Sequence, residues 1–509
     1  MTGFLDTVIR TVLLPALIAA ILLGAAAPGA IAAPGMQFGI ADDGVTQRNA
    51  ELAPKVVPEW KATGMDVARV LVIWSYVAPG SDRTTRPAGF DPGNPNDPQY
   101  NWGPVDQAVE LLTAQGIEPI LNVTGYIPFW GSLDPGLRRN RYKPDPTQFA
   151  TFVKAVAQRY DGRVRRYILW NEPNLVDWLQ PQNECVNGRC TPVAPHMYRE
   201  LARKAVPAIK AGSPGAQVYG PALASKGDSP TKVNVRTRPL AFLRALGCVD
   251  AKLRRDRSSK HCRGFKPATL DGIAYHPHST TFAPDRGYTN VDDANLADYP
   301  RLIGTIDAVQ KAGGLVNGVS KAKKFDLYYD EYGYQTNPPD PLLGVATSQQ
   351  SAWMQWGAYA AYKQPRVRML IQYLWRDDPI NSNVDATRYA GWQSGLYYFD
   401  GNPKPARKAF PHPFWVSLPK GSRTAELWGQ VRPGGIANVT VQKGSGGSYA
   451  TLRKLATDAK GYFRFTNTVA RKSSFRFRYT DAAGRLQTSS VVTVAPTKKK
   501  STAKPARRR

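Results

Sequence analysis

Short hydrophobic runs alternate with longer helical or loop stretches between Met36 and about Phe410. The runs are rich in Val, Ile, Leu and Tyr, and several are almost uninterrupted, which is typical of parallel strands covered on both faces. Between them, the segments 104–116, 147–160 and 196–212 have the apolar spacing of helices. The runs begin at residues 36, 67, 117, 165, 216, 270, 325 and 369.

Eight strands with intervening helices predict an α/β fold, a (β/α)8 TIM barrel over residues 36–411. The alternative is an open, doubly wound sheet. That fold would need a glycine-rich nucleotide-binding turn after its first strand, and neither G-x-G-x-x-G nor G-x-x-x-x-G-K-[ST] occurs. The barrel is therefore the favoured architecture.

The pattern changes after residue 411. The segment HPFWVSLPKGS is predicted to be a linker, and short alternating strands separated by Gly, Pro, Ser and Asp then follow. They predict a small immunoglobulin-like antiparallel β-sandwich over residues 415–495. In GYFRFTN and SSFRFRYTD, aromatic residues alternate with Arg, so one face is expected to be core and the other basic. Residues 496–509 offer nothing apolar to pack and are expected to be disordered.

Residues 1–32 are predicted to be a secretory signal peptide. Residues 11–27 are apolar and uncharged, Arg10 precedes them, and Ala-Ile-Ala at 30–32 forms a small-x-small cleavage signal. An uncleaved membrane anchor is the alternative, but this stretch contains Pro and Gly and is short for a span that needs about 20 residues. The mature protein is therefore expected to be secreted or extracytoplasmic.

Four cysteines are present, and an even number favours disulfides in an exported protein. They permit several connectivities, of which Cys185–Cys190 with Cys248–Cys262 closes the shortest loops. A zinc site is the alternative. It is disfavoured because only His261 lies next to a cysteine and no C-x-x-C is present.

The composition is that of a packed globular protein, with 42% hydrophobic and 21% charged residues, which excludes a disordered or collagen-like chain. The formal net charge is +28, and residues 412–509, with 20 basic and 3 acidic residues, contribute +17 of it. Such a basic tail is expected to bind anionic cell-wall or membrane surfaces weakly, which would associate the protein with the cell surface. Specific nucleic-acid binding is not expected, because the aromatic residues of the sandwich are predicted to lie in its core.

Two glutamates end strand-like runs, Glu172 in YILWNEPN on strand 4 and Glu331 in DLYYDEYGYQT on strand 7. Active sites of (β/α)8 enzymes lie at the C-terminal ends of the strands. Glycosidic cleavage needs two carboxylates there, because one protonates the leaving oxygen and the other attacks the anomeric carbon or activates water. The alternative is that both are ordinary acids in ion pairs. Asp330 precedes Glu331, but adjacent strand residues point to opposite faces, so only one of them is expected to face the mouth.

These motifs resemble those of the clan A glycoside hydrolases, (β/α)8 retaining enzymes that include families 5 and 39 and the cellulase-type glycosyl hydrolases. The sequence WNEPN at 170–174 matches the strand-4 motif of the clan, and EYG at 331–333 matches its strand-7 motif. The run GLYYFDGNPKPARKAF, which begins at 395, resembles the segment that closes these barrels. The resemblance covers roughly residues 36–410.

The resemblance implies a retaining hydrolase that cleaves O-glycosyl bonds of a poly- or oligosaccharide, with Glu172 as acid/base and Glu331 as nucleophile. It implies no cofactor and no metal. Two features depart from the family pattern, since His278 stands where relatives often carry Tyr and the 223–269 loop is long and basic. The family's substrate-binding residues match four positions here, Arg69, Asn171, His276 and Trp375.

A protein of a different class is the alternative. It would be a non-catalytic carbohydrate- or cell-wall-binding barrel with a polyanion-binding C-terminal region. The presence of both Glu172 and Glu331 argues against this alternative.

Overall fold

The computed structural model describes residue 33 and residues 35–380, 391–445 and 447–497. The predicted signal peptide and residues 498–509 of the predicted disordered tail lie outside the described residues. Within the described part of the chain, no helix is both long enough and apolar enough to cross a membrane.

Strands and helices alternate along the described residues up to residue 411. The strands are β1 (Gln37–Ala41), β2 (Val67–Ile73), β3 (Glu118–Thr124), β4 (Arg166–Leu169), β5 (Asn183–Val186), β6 (Arg189–Pro192), β7 (Gln217–Tyr219), β8 (Leu223–Ala224), β9 (Ala268–Leu270), β10 (Ile273–His276), β11 (Leu315–Asn317), β12 (Leu327–Tyr332) and β13 (Val367–Tyr373). The helices are α1 (Asp43–Thr46), α2 (Ala53–Ala62), α3 (Trp74–Val77), α4 (Gly103–Ala114), α5 (Pro146–Arg159), α6 (Ala194–Gly212), α7 (Pro239–Leu246), α8 (Tyr299–Lys311), α9 (Thr347–Tyr362) and α10 (Pro405–Ala409).

The parallel strands form the predicted (β/α)8 barrel. Their order in the sheet, over the residues described, is β7-β4-β3-β2-β1-β13-β12-β10-β8. All eight predicted runs become barrel strands, and the fifth is broken in two at Gly220-Pro221, because β7 pairs with β4 whereas β8 pairs with β10. A parallel bridge between Tyr219 and Gly272 closes the ring.

The interior of the barrel is a packed apolar core. Side chains from strands all around the ring contribute to it, as is usual for this fold. A polar reaction site is therefore expected at the ends of the strands and not in the interior of the barrel. The buried residues of this cluster are Ala41, Val67, Ile120, Ile168, Tyr219, Ala222, Ala274, Met369 and Ile371.

Two disulfides brace loops on one side of the barrel. Cys185 pairs with Cys190 across the β5–β6 hairpin, and Cys248 pairs with Cys262 in the loop that follows α7. This is the sequential connectivity that closes the shortest loops. Disulfides are typical of proteins that fold in an oxidising compartment outside the cytoplasm.

The C-terminal region is an antiparallel sandwich of two sheets. One sheet is β14-β15-β18, and in the other β17, β16 and β19 are followed by β20, with β21 also paired to β19. The strands are β14 (Phe414–Ser417), β15 (Thr424–Gln430), β16 (Asn438–Ser445), β17 (Ser448–Ala456), β18 (Tyr462–Thr468), β19 (Ser473–Thr480), β20 (Leu486–Thr488) and β21 (Val492–Val494).

The segment predicted as a linker is instead the first strand of the sandwich. In β14, Phe414 and Val416 are buried in the core of the sandwich, and the strand pairs with β15. The alternation predicted for β19 is confirmed, because Phe475 and Phe477 are buried while Arg476 and Arg478, which follow them in turn, reach solvent.

The sandwich is packed firmly against the barrel. Trp428 of β15 is completely buried in the core cluster of the barrel, where its ring lies against Tyr359 and Tyr362 of α9. The guanidinium group of Arg432 lies over the rings of Phe38 and Phe410, at 3.6 and 4.3 Å from their centres. The two units therefore share one apolar interface.

Truncating Trp428 is expected to destabilise the whole chain. Trp428→Ala leaves a large cavity in this interface, and the expected loss in free energy of unfolding is about 3–5 kcal/mol. Urea unfolding followed by circular dichroism measures it. Phe399→Ala, at a residue that is 54% exposed, is the matched control and should change the free energy by less than about 0.5 kcal/mol. Equal small losses in both variants would contradict a shared interface.

Candidate active site

The carboxylate of Glu172 is presented by a tight turn directly after β4. Trp170 and Glu172 both have left-handed backbone, with φ of 68° and 38°, a conformation that non-glycine residues adopt only when their surroundings impose it. The backbone N–H of Asn171 donates to Thr124 Oγ1, and that of Glu172 donates to the carbonyl of Ala222. Neighbouring strands thus hold the turn in place.

A glycine makes room for this turn. A Cβ atom at Gly125 would lie 2.8 Å from the indole ring of Trp170, so only glycine fits beneath the ring without displacing it. Trp170 itself is completely buried. The strand-4 motif therefore owes its shape partly to the loop that follows β3.

Glu331 lies near the end of β12, where the pairing with β13 is irregular. Tyr329 pairs with Leu370 and Tyr332 with Gln372, so β12 contains one extra residue between these pairs. Such a bulge breaks the strict alternation of side chains. Both Asp330 and Glu331 consequently reach Arg69 and His276, whereas alternation alone predicted that only one would point that way.

Arg69 of β2 connects the end of β12, which carries Glu331, with the turn after β4, which carries Glu172. Its guanidinium group contacts Glu331 Oε1 at 2.6 Å and donates to Asn171 Oδ1 at 3.0 Å. Arg69 is buried, with 2% of its surface exposed. The side-chain amide nitrogen of Asn171 has no partner among the described residues, so it is free to meet a substrate hydroxyl next to Glu172.

His276 of β10 lies between the acidic groups. Its Nδ1 is 2.9 Å from Glu172 Oε1 and 3.5 Å from Glu331 Oε2, and its Nε2 is 3.1 Å from Asp330 Oδ2. Asp330 and His276 are completely buried. Because carboxylates only accept hydrogen bonds, both ring nitrogens of His276 are placed to donate.

The charged groups at the site determine the protonation states of His276 and Glu331. Burial alone would lower the pKa of His276, but the charges of Glu331 and Asp330 and the hydrogen bonds to Asp330 and Glu172 raise it to about 10. Burial alone would raise the pKa of Glu331, but Arg69, His276 and a hydrogen bond from His278 hold it well below its ordinary value. At neutral pH the site therefore holds an imidazolium at His276 and a carboxylate at Glu331.

The raised pKa of His276 makes the stability of the fold depend on pH. The native state holds this proton up to about pH 10, whereas the ordinary value is 6.5. The resulting stabilisation is complete below about pH 6.5 and is lost as the pH rises towards 10. The free energy of unfolding is expected to fall across this range by up to about 1.4 kcal/mol per pH unit. Urea unfolding at several pH values should show this slope reduced in His276→Gln, and an identical slope in both proteins would contradict the assignment.

The two glutamates converge on one nitrogen atom. Both contact the same atom, His276 Nδ1, at 2.9 and 3.5 Å. An oxygen of each carboxylate therefore lies within contact distance of one imidazole nitrogen, so the two acidic groups converge at one point of the barrel mouth. A pair at this spacing can flank one glycosidic bond.

Five of the six predicted site residues come together, and Trp375 does not join them. The backbone N–H of Trp375 donates to the buried carboxylate of Asp42. Its ring then packs between Trp60 and Tyr397 and is 2% exposed. The residues that meet at the site are Arg69, Asn171, Glu172, His276 and Glu331.

Trp392 is the exposed indole beside the site, and the sequence motifs gave no signal for it. Its ring stacks on His278 with centres 5.7 Å apart, and 41% of its surface is exposed. His278 in turn contacts Glu331 Oε2 at 3.4 Å. Tyr373, which ends β13, meets the indole edge-on. The one hint in the sequence was that His278 stands where relatives often carry Tyr, because an imidazole beside Glu331 can stack on a flat ring.

The closing run of the barrel anchors the segment that carries Trp392. Lys404 is completely buried and donates to Asp377 Oδ1 at 2.7 Å and to the carbonyl of Gln393 at 2.9 Å. Asp378 exchanges two hydrogen bonds with Trp392, through its carboxylate and its backbone N–H. A buried ion pair thus holds the backbone beside the exposed indole.

In the part of the chain that the structure describes, two groups of side chains have the spacing of metal ligands. His276, His278 and Glu331 place ligand atoms within 4.8 Å of one another, as do His196, Cys248 and Cys262. In the first group, His276 already bonds carboxylates through both nitrogens and Glu331 is paired with Arg69. In the second, the two sulfur atoms are joined in a disulfide. Contacts between the protein groups themselves explain both clusters.

Known families match the barrel. Residues 39–222 match the family model described as Cellulase (glycosyl hydrolase family 5), and this segment includes Arg69, Asn171 and Glu172. No curated protein matches the sequence. The match supports the resemblance to clan A enzymes that the strand-4 motif around Glu172 indicated.

Solved structures share the fold at low sequence identity. A family 39 glycoside hydrolase from the gut symbiont Bacteroides cellulosilyticus WH2 is similar over 85% of this chain and 80% of its own, with 16% identity and a TM-score of 0.51. A glucosidase from Croceicoccus marinus is similar over 91% of this chain and 98% of its own, with 11% identity and a TM-score of 0.50. These likenesses establish a common fold.

Proposed function

We propose that this protein, a glycosidase with the barrel of the clan A glycoside hydrolases, is an exported retaining enzyme acting on a poly- or oligosaccharide. In this proposal Glu331 attacks the anomeric carbon while Glu172 protonates the leaving oxygen. Glu172 then takes a proton from a water molecule whose oxygen attacks the anomeric carbon, and this breaks the bond to Glu331 and releases the sugar. The observation that carries the proposal is the contact of both carboxylates with one nitrogen atom of His276.

The groups around the two glutamates suit these roles. A nucleophile must be ionised, and the guanidinium of Arg69 at 2.6 Å supports that state in Glu331. The imidazolium of His276 donates to Glu172 Oε1, so it stabilises the carboxylate that forms when Glu172 gives up its proton. Asp330 accepts from the other nitrogen of His276 and so acts as a positioning residue.

Trp392 is proposed to stack on the sugar. It would thus take over the substrate-binding role that the family resemblance implied for Trp375. Stacking on an indole contributes roughly 0.5–1.5 kcal/mol beyond area burial, so Trp392→Ala should lower kcat/KM by roughly tenfold, mainly through KM. Steady-state kinetics measure the effect. Trp375→Phe, which keeps an aromatic ring in the core, is the matched variant and should change kcat/KM little. A larger loss in Trp375→Phe would return the role to Trp375.

Export and surface attachment are part of the proposal. The two disulfides and the sequence of residues 1–32 support secretion to an extracytoplasmic compartment. The basic residues of 496–509 would attract anionic cell-wall or membrane surfaces. Salt screens exposed charges, so such adsorption should be weak and sensitive to ionic strength.

A substrate panel tests the function itself. Purified full-length protein is incubated with aryl glycosides and polysaccharides of different sugars and linkages, with Glu331→Gln as the matched inactive control. Turnover by the wild type alone supports the proposal. If both proteins are equally inactive on every substrate and both bind a glycan, the non-catalytic binding alternative is correct.

A further inference from the structure

The outward face of one sandwich sheet gathers three cations, here called the cationic face and defined by Lys454, Arg476 and Arg478. Thr440 of β16 pairs with Lys454 of β17 on one side and with Arg478 of β19 on the other. Gln442 of β16 pairs with Arg476. Residues directly opposite each other in paired strands point to the same side of a sheet. The three cations therefore share one polar surface.

No acidic group offsets this charge. Strands β16, β17, β19, β20 and β21 contain five Lys or Arg residues and no Asp or Glu. Among the described residues, none of the three cations of the face forms an ion pair. Two other cations of the sandwich are neutralised, since Arg464 pairs with Glu426 and Arg485 with Asp481. The face thus gathers three unpaired cations on strands that contain no acidic residue.

Arg476 is held in a fixed orientation on this face. Its guanidinium group lies 3.8 Å from the centre of the Tyr449 ring, and its Nε donates to Gln442 Oε1 at 2.8 Å. Tyr449 rests against the backbone of Gly444, where a Cβ atom would come within 2.6 Å of the ring. The terminal nitrogens of Arg476 make no bond within the described protein, and an ordered guanidinium can bind an oxyanion through both of them.

We propose that the cationic face binds an acidic polysaccharide, a glycan chain that carries carboxylate or sulfate groups. The hydroxyl and amide groups of Thr440 and Gln442 lie between the cations and match the hydroxyl groups of sugars. A single-stranded nucleic acid is less suited, because base stacking needs an uncovered aromatic ring and Arg476 covers Tyr449. This binding lies outside the catalytic site and does not depend on the roles of the two glutamates.

Two triple variants of the full chain test the proposal. The first replaces Lys454, Arg476 and Arg478 by Ser. The matched control replaces Lys420, Arg423 and Arg471, which are exposed cations of the sandwich outside the face, also by Ser. Both lose three charges, so non-specific attraction falls equally. Each is also made in a chain ending at residue 497, which measures the contribution of the basic tail separately.

Calorimetry at low ionic strength compares polygalacturonate, dextran sulfate, neutral dextran, a single-stranded oligonucleotide and phosphatidylserine vesicles. The face variant should bind polygalacturonate or dextran sulfate roughly tenfold more weakly or worse, and the control should stay within about twofold of the wild type. Turnover of a small substrate should be unchanged in both, which separates this test from the catalytic proposal. Equal losses in the two variants, or tighter binding to the oligonucleotide or the vesicles than to either acidic glycan, would overturn the inference.

Discussion

Glu331→Ala is expected to abolish turnover of every substrate. Without the carboxylate that Arg69 holds at 2.6 Å, no covalent glycosyl-enzyme can form, and the shorter side chain leaves no substitute group at the anomeric carbon. Kinetics with a substrate that has a good leaving group measure the loss. Even an activated leaving group should not restore turnover, because the missing step is the attack itself.

Azide gives this prediction a diagnostic product. In Glu331→Ala the ion can attack from the face that the carboxylate vacates, which yields a glycosyl azide of inverted configuration. Asp330→Asn is the matched variant, since it neutralises the neighbouring carboxylate while Glu331 remains. It should keep measurable turnover and form no inverted azide. Normal turnover in Glu331→Ala would show that another group is the nucleophile, with Asp330 the next candidate.

Glu172→Ala is expected to discriminate sharply between substrates. For sugars with poor leaving groups, loss of a general acid should reduce kcat/KM by roughly 10²–10⁴-fold. Substrates with good leaving groups need little protonation, so the first step should survive and the glycosyl-enzyme should accumulate. The ratio of kcat/KM between the two kinds of substrate, in wild type and variant, measures the effect.

Rescue by azide distinguishes Glu172 from Glu331. In Glu172→Ala, azide enters after the covalent intermediate has formed and should give a glycosyl azide with retained configuration. Glu172→Gln keeps the size of the side chain but cannot donate a proton, so it should be nearly inactive on natural glycans. Loss of activity that is equal for good and poor leaving groups would contradict the role of Glu172 as acid/base.

The barrel and the places of its two glutamates could be predicted from local patterns, whereas three further residues of the candidate site were implied by the resemblance to clan A enzymes. Nearly continuous apolar runs identify parallel strands, and the position of Glu172 and Glu331 at the ends of strands 4 and 7 places them at one mouth. Arg69, Asn171 and His276 lie on or directly after strands, so the closing of the ring brings them together. The strand order is confirmed by the observed sheet.

The positions of the other side chains near the site depend on contacts between residues far apart in the chain, which a local sequence pattern does not predict. Trp375 follows β13 as the resemblance requires, but its backbone N–H donates to Asp42 and its indole lies buried in the core. The position of Trp392 depends on the buried ion pair between Lys404 and Asp377, two residues that are far apart in the sequence. Asp330 reaches His276 only because a bulge interrupts the alternation of β12.

The first strand of the sandwich was predicted to be a linker for a similar reason. Phe414 stands in a segment rich in Pro, Gly and Ser, which is the composition of a linker. Its side chain nevertheless lies in the core of the sandwich, and Trp428 of the next strand lies in the core of the barrel. Composition describes a segment alone, whereas burial depends on what packs against it.

The configuration of the first product tests the central claim most directly. Proton NMR, recorded within the first turnovers of the best substrate and before mutarotation, identifies the anomer that the enzyme releases. Because Glu172 and Glu331 both contact His276 Nδ1, the account predicts a two-step displacement and a product with the same anomeric configuration as the substrate. A first-formed product of the opposite configuration would mean direct attack by water and would contradict the account.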